Sequence, residues 1–241
     1  MNSILFLVVF TVSNLTHASV APDKIIGNND LIAVNDDATN IPARYRNLVD
    51  AFGITDAGCT VTHIGHGIVL TAGHCFWAPE TPVENQSCNG TTVSWGKRGN
   101  KEAYLVSNCE RLILAQRSQR GDFAIFKVSP EPSATIAPDL QRHAIIGDTL
   151  TLFSHPEFMP LQWSQLCGYE RASDPELPSM ALLHQCDTNP GSSGAAIIDA
   201  LSLKIVAIHD GGHADANNQG MNYGTFILSS PLAEKLRELG F

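Results

Sequence analysis

Three short segments of this chain hold residue types that could do nucleophilic chemistry together. VLTAGHC, residues 69–75, is an apolar strand that ends in His74 and runs straight into Cys75. RGDFAIFKV, residues 120–128, places Asp122 at the head of an otherwise apolar strand, and CDTNPGSSGAAI, residues 186–197, is a Gly-Ser-Ser-Gly turn leading into a buried strand. A serine hydroxyl attacks a carbonyl only when a base of near-neutral pKa takes its proton, and histidine is that base. The histidine in turn needs a buried carboxylate, which holds one tautomer and stabilises the imidazolium. Glycines on both sides of a serine permit a tight turn whose backbone N–H groups can converge where an oxyanion would develop.

These residues need a scaffold, and the rest of the sequence predicts a β one. Period-two alternation and β-branched runs dominate. In the first half the predicted strands are 59–64, 67–72, 91–95, 103–106, 112–115 and 123–128; in the second they are 149–154, 162–170, 181–186, 195–199, 204–209 and 223–228. Between them lies SPEPSATIAPD, residues 129–139, whose Pro130, Pro132 and Pro138 cannot donate to a sheet ladder and mark a connector. Six strands on each side suggest an all-β protein of two antiparallel six-stranded barrels. The tail, SSPLAEKLRELGF, predicts a helix over 230–240 with Ser230 as N-cap, Pro231 at its first position, and Leu232, Leu236 and Leu239 on one face.

The chain has 241 residues, 44 % of them hydrophobic, 16 % charged, and a formal net charge of −9. It is too apolar for a disordered chain, and an acidic balance without a basic block argues against nucleic acid or an anionic membrane as partner. Ile4–Val12 is a continuous apolar run too short to stay in a bilayer, and the small residues Ser19 and Ala21 follow it. Residues 1–21 therefore read as a secretory signal, with a cut after Ala18 as the second choice. Cys59, Cys75, Cys88, Cys109, Cys167 and Cys186 come after it, an even number in an exported chain, which implies three disulfides and a secreted or periplasmic location.

With these motifs in place, the chain resembles the trypsin/chymotrypsin-fold serine peptidases, and among them the glutamyl endopeptidases and their bacterial relatives. LTAGHC resembles that family's LTAAHC, GDFAIF its strand with the catalytic aspartate, and GSSGAA its nucleophile turn; the three stand in the family's order, and the likeness spans nearly the whole chain from about Ile25. The resemblance implies a chymotrypsin-like fold, with His74 as general base, Asp122 as orienting acid and Ser193, not Ser192, as nucleophile. It makes the N–H groups of Gly191 and Ser193 the oxyanion hole. It also implies a Cys59–Cys75 disulfide beside the histidine; Cys167 with Cys186, and Cys88 with Cys109, are the remaining expected pairs. The domain layout expected is a signal over 1–21, a short propeptide over 22–24, and a peptidase domain over 25–241, with its barrels over about 25–128 and 140–229.

Specificity at P1, the substrate residue before the cut bond, has two readings. Asp187 stands six residues before Ser193, the spacing at which trypsin keeps its lysine- and arginine-reading aspartate. IHDGG, residues 208–212, instead resembles the segment whose histidine binds a P1 carboxylate in glutamyl endopeptidases, which implies His209 and Thr188 as the reading groups. A protonated imidazole would strengthen such a bond. The acidic reading is favoured, with basic P1 as the alternative and a catalytically dead binding module as the rival class. No cofactor or metal is expected: His63, His66 and His213 lack a nearby carboxylate, there is no H-E-x-x-H, and Asp210-Gly211-Gly212 reads as a loop. Protein or peptide substrates and a monomer are expected. Finally, Lys24-Ile25-Ile26-Gly27 resembles a zymogen junction and Asn28-Asn29-Asp30 the start of glutamyl endopeptidases, so cleavage after Lys24 would free an Ile25 ammonium that tunes substrate binding. Ser192 stands where trypsin's aspartate would receive that ammonium.

Overall fold

Two runs of strands form, separated by the proline-bearing segment; the first closes into a barrel and the second forms a sheet, each over its own apolar interior. The computed structural model describes residues 25–88, 90–169, 181–214, 220–229 and 231–241. In chain order the strands of the first run are β1 (Ile32–Ala33), β2 (Phe52–Thr55), β3 (Thr60–Gly65), β4 (Ile68–Thr71), β5 (Val83–Gln86), β6 (Thr92–Trp95), β7 (Leu105–Ser118) and β8 (Gly121–Ser129). After residues 130–148 come β9 (Thr149–Ser154), β10 (Gln162–Gly168), β11 (Ala181–His184), β12 (Ala196–Asp199), β13 (Ile205–Ala214), β14 (Gly220–Phe226) and the helix α1 (Leu232–Glu238).

One sheet runs β5-β7-β6-β2-β3-β4-β8, and β7 also pairs with β8. That last pairing closes β2, β3, β4, β6, β7 and β8 into a six-stranded barrel, with β5 attached outside on β7. The other sheet runs β1-β10-β9-β12-β13-β14-β11, and a Tyr169–His184 bridge brings its β10 and β11 together. All pairings within both sheets are antiparallel.

Side-chain alternation explains why so many strands are apolar end to end. Along β4, Val69 points into the first barrel while Leu70 points out of it; along β12, Ile197 lines the second interior while Ile198 points out. On these strands the outward faces do not meet water. They meet each other, in a central layer where Leu70, Phe123 and Ile125 belong to one cluster with Phe153, Ile198 and Ile208. A strand buried on both faces loses the polar half of its alternation. Each half also buries one indole: Trp95 donates to Ser107 Oγ at 2.9 Å in the first, and Trp163 donates to Thr151 Oγ1 at 2.7 Å in the second.

The expected β architecture and C-terminal helix are present, with several corrections. The predicted strands 103–106 and 112–115 are one strand, β7; register shifts at Cys109/Arg111 and Leu112/Leu114 let it bend past charged residues without ending. β1, β2 and β5 and the 3-10 segment Ala43–Ala51 were not expected. β5 reads VENQ and is mostly exposed, so it carries almost no hydrophobic signal. Pro231 is the N-cap of α1 rather than its first helical residue. The signal segment 1–21, residues 22–24 and the Ser230 cap lie outside the described residues. All three expected disulfides form: Cys59–Cys75, Cys88–Cys109 and Cys167–Cys186. No helix among the described residues is long and apolar enough to cross a membrane.

Candidate active site

β4 ends at Thr71, and the chain then tightens into a 3-10 turn over Gly73–Phe76 that carries His74. Glycine is required before the histidine: a Cβ on Gly73 would run into the Gln116 carbonyl and lie 2.9 Å from Asp122 Oδ1. That vacancy brings the turn down onto the start of β8. The His74 backbone N–H donates to Asp122 Oδ1 at 2.8 Å, and the ring Nδ1 donates to Asp122 Oδ2, also at 2.8 Å. With a carboxylate at Nδ1 the ring proton sits there, and Nε2 is left as an acceptor. The aspartate is held in turn, since its N–H donates to Thr225 Oγ1 at 2.8 Å and Thr225 donates to Asp210 Oδ2 at 2.7 Å. The Asp122 side chain is 11 % exposed and that of His74 23 %, so the carboxylate is sheltered while the imidazole reaches solvent.

The serine turn arrives from the second half. Ser193 O accepts from Thr60 N at 3.0 Å, and Thr60 follows Cys59, whose disulfide partner Cys75 follows His74. Gly194 packs against Thr71 Oγ1 and the Thr60 carbonyl so closely that it has no room for a side chain, and its φ is +87°. The two expected candidates within the turn differ in surroundings. Ser192 is fully buried, with its Oγ 3.0 Å from Ser154 Oγ, whereas Ser193 is only half-buried.

The carbonyls of this turn are all engaged as acceptors. Asn189 O accepts from Ser192 N, Pro190 O from Glu157 N, Gly191 O from Thr60 N, and Ser192 O from Ala195 N. Among the described residues, the N–H groups of Gly191 and Ser193 donate to no protein acceptor. Gly191 has a φ of +100°, a conformation that turns its amide as few other residues could.

Beyond the serine, β13 lies along the turn, with Gly194 N donating to His209 O at 2.7 Å. His209 and Thr188 are both fully buried, and Thr188 Oγ1 has no hydrogen-bond partner among the described residues. His209 Nδ1 lies 3.1 Å from Nε2 of His184, a residue that sequence reasoning did not single out. Burial, and then the nearby His209, hold the His184 pKa well below its ordinary value, so His184 is neutral. Asp187 is placed differently from its trypsin-like reading. Its Oδ1 accepts from Ile26 N at 2.7 Å and its Oδ2 from Asp30 N at 2.6 Å, so both oxygens are occupied by the N-terminal segment. Gln165 donates to Asp30 O from β10, and Ile26, Asp30 and Asp187 line a cavity of about 200 Å³ on that side.

His63 and His66 have structural partners. His63 donates from Nδ1 to Ala134 O at 2.7 Å and accepts Gly67 N–H at Nε2, so neither nitrogen is free for a metal. His66 sits in a left-handed turn against Phe241, and the His213 side chain lies outside the described residues. Asp210 is not in a loop, as expected from its two glycines: it lies within β13, where the register shift between His209 and Gly211 turns it toward Thr225.

Buried neutral histidines make the fold acid-sensitive. Burial lowers the His155 pKa from an ordinary 6.5 to about 4, and His63 and His184 shift in the same direction for the same first cause. Between these values the unfolded chain takes up a proton that the folded chain refuses, so stability falls as pH drops from about 6.5 toward 4. His155 alone contributes up to about 3 kcal/mol of that loss. Urea midpoints measured from pH 7 to pH 4.5 should fall accordingly, and His155→Gln should flatten the curve. A pH-independent midpoint would contradict this.

Comparison with known families finds a match over residues 58–208 to the model described as the trypsin-like peptidase domain. No curated protein matches the chain.

Proposed function

Because the chain belongs to the trypsin-like peptidase family, we propose that it is a serine endopeptidase working through an acyl-enzyme, with His74, Asp122 and Ser193 as its triad. The observation that carries this reading is the double hydrogen bond from His74 to Asp122, which leaves Nε2 as the ring acceptor, while Ser193 stays half-buried. In the proposed reaction His74 Nε2 takes the Ser193 proton as Oγ bonds to the scissile carbonyl carbon. The oxyanion settles on the N–H groups of Gly191 and Ser193. The imidazolium then gives its proton to the leaving amine, the C–N bond breaks, and a water activated by the same nitrogen hydrolyses the acyl ester. The binding-module alternative has no comparable reason to keep these groups assembled.

For P1 the proposed preference is glutamate or aspartate. A buried polar atom without a partner is costly, and an incoming carboxylate would satisfy the Thr188 hydroxyl while pairing with His209. A basic P1 is disfavoured by the two backbone amides that already occupy Asp187. We further infer export: three disulfides suit an oxidising compartment, and residues 1–21 and 22–24 serve as signal and propeptide. The decisive experiment combines fluorophosphonate labelling, expected at Ser193, with mass-spectrometric mapping of cuts in a denatured protein. Cuts should cluster after Glu and Asp. Clustering after Lys and Arg would overturn the acidic reading, and absence of labelling would overturn the peptidase reading.

A further inference from the structure

The serine turn depends on groups that no part of the triad explains. In the proposed reaction its two amides must point at the oxyanion before the substrate arrives, because donors that reorganise during the reaction lose much of their effect. In trypsin-like enzymes an ion pair between an aspartate preceding the nucleophile and the new N-terminal ammonium orders this turn; here that position is Ser192. The N-terminal segment is bound elsewhere, through Ile26 and Asp30 to Asp187.

What holds the turn instead is a set of buried hydroxyls. Ser192 Oγ sits 3.0 Å from Ser154 Oγ and accepts from Asn189 N at 3.2 Å, so one hydroxyl ties the turn to β9 and closes it on itself. Thr60 grips the other side. Its Oγ1 donates to Gly191 O at 2.8 Å, its N–H reaches both Gly191 O and Ser193 O, and Oγ1 accepts from His155 N at 2.9 Å. Ser154, Ser192 and Thr60 are all fully buried. Fixing the Gly191 carbonyl fixes the Gly191–Ser192 peptide, the unit that joins the peptides carrying the Gly191 and Ser193 amides, so the hold on the turn limits how both can rotate.

Resting on the serine-peptidase reading, we propose that Ser154 and Thr60 are positioning residues that hold the oxyanion turn through Ser192 and Gly191. They touch no reacting atom. Their hydroxyls do the ordering that a buried ion pair does in trypsin-like enzymes.

The test compares Ser154→Ala, Thr60→Val and Thr60→Ser, each normalised to the fraction of sites titrated by a fluorophosphonate. Ser154→Ala and Thr60→Val should lower kcat by about 10- to 100-fold, less than the loss of a whole oxyanion donor, with KM within about twofold. The inhibition constant of a peptide aldehyde, whose adduct bears the oxyanion, should rise by the same factor. Thr60→Ser keeps the hydroxyl and should restore kcat. Residues that merely stabilise the fold would lower the titratable fraction and the Tm and leave kcat per titrated site and aldehyde affinity unchanged, and that result overturns the proposal. If Ser154→Ala does not fold, the contrast between Thr60→Val and Thr60→Ser decides alone. A wild-type protein that fails to label at Ser193 defeats the underlying peptidase reading, an outcome separate from variants that label and retain kcat.

Discussion

Asp122→Asn should fold like the wild type and lose roughly 10⁴ in kcat near neutral pH, a loss of the size expected when a triad histidine is held in the wrong tautomer. The asparagine is isosteric, and its oxygen can still accept the His74 backbone N–H now bound by Oδ1. Its amide nitrogen then faces His74 Nδ1, where Oδ2 now accepts. Two donors cannot share that contact, so Nδ1 must become the acceptor and the proton moves to Nε2. The nitrogen that should receive the serine proton is then already protonated. KM should change little, because the substitution removes stabilisation of the transition state rather than of bound substrate. Thermal unfolding checks the fold and steady-state kinetics the rest; a kcat within tenfold of wild type would remove Asp122 from the triad.

Gly194→Ala should be the most damaging single methyl in the described part of the chain. Its φ of +87° already disfavours any side chain. The added Cβ would also be driven into Thr71 Oγ1 and the Thr60 carbonyl and lie 2.9 Å from Ala72 N, and backbone atoms give way far less readily than a side-chain tip. Strain and overpacking together should cost about 3–5 kcal/mol, a Tm loss on the order of 10 °C in a domain of this size. Gly147 supplies the control. Its φ is +94° but nothing lies within 4 Å of a Cβ there, so Gly147→Ala should cost only about 1–2 kcal/mol. Equal losses at the two sites would show that conformation, not close approach, governs Gly194.

The residues proposed for chemistry were legible in the sequence because each ends or begins an apolar strand at a place where a polar residue is out of pattern. His74 lies in the turn just after β4, Asp122 is the second residue of β8, and Ser193 sits between glycines ahead of β12. The residues that support them were not legible. Ser154, Thr60 and Thr225 are short polar residues inside strands, where alternation alone reads them as outward-facing; they are buried because both faces of those strands are covered. Gly73 replaces the usual alanine of the LTAAHC pattern, and only the nearby Gln116 carbonyl explains why. The hydrogen bonds of Asp187 were not legible either. Its spacing from Ser193 suggested a substrate contact, but its partners lie 161 and 157 residues away in sequence, a separation that no local pattern encodes. The merging of two predicted strands into β7 has a similar origin, since a bulge lets charged residues pass without breaking the ladder.

The three tryptophans divide the molecule for spectroscopy. Trp95 is dry in one barrel, Trp163 is 6 % exposed in the other half, and Trp77, three residues past His74, is 91 % exposed. Iodide or acrylamide should therefore quench Trp77 first, and the emission of Trp77 alone can report a polypeptide covering the rim beside the histidine. The remaining unquenched emission comes from the interior of the first barrel, through Trp95, and from the layer between the halves, through Trp163. Replacing either buried tryptophan by phenylalanine leaves one buried fluorophore, so the chain carries its own means of asking whether the first barrel's interior and the layer between the halves come apart together.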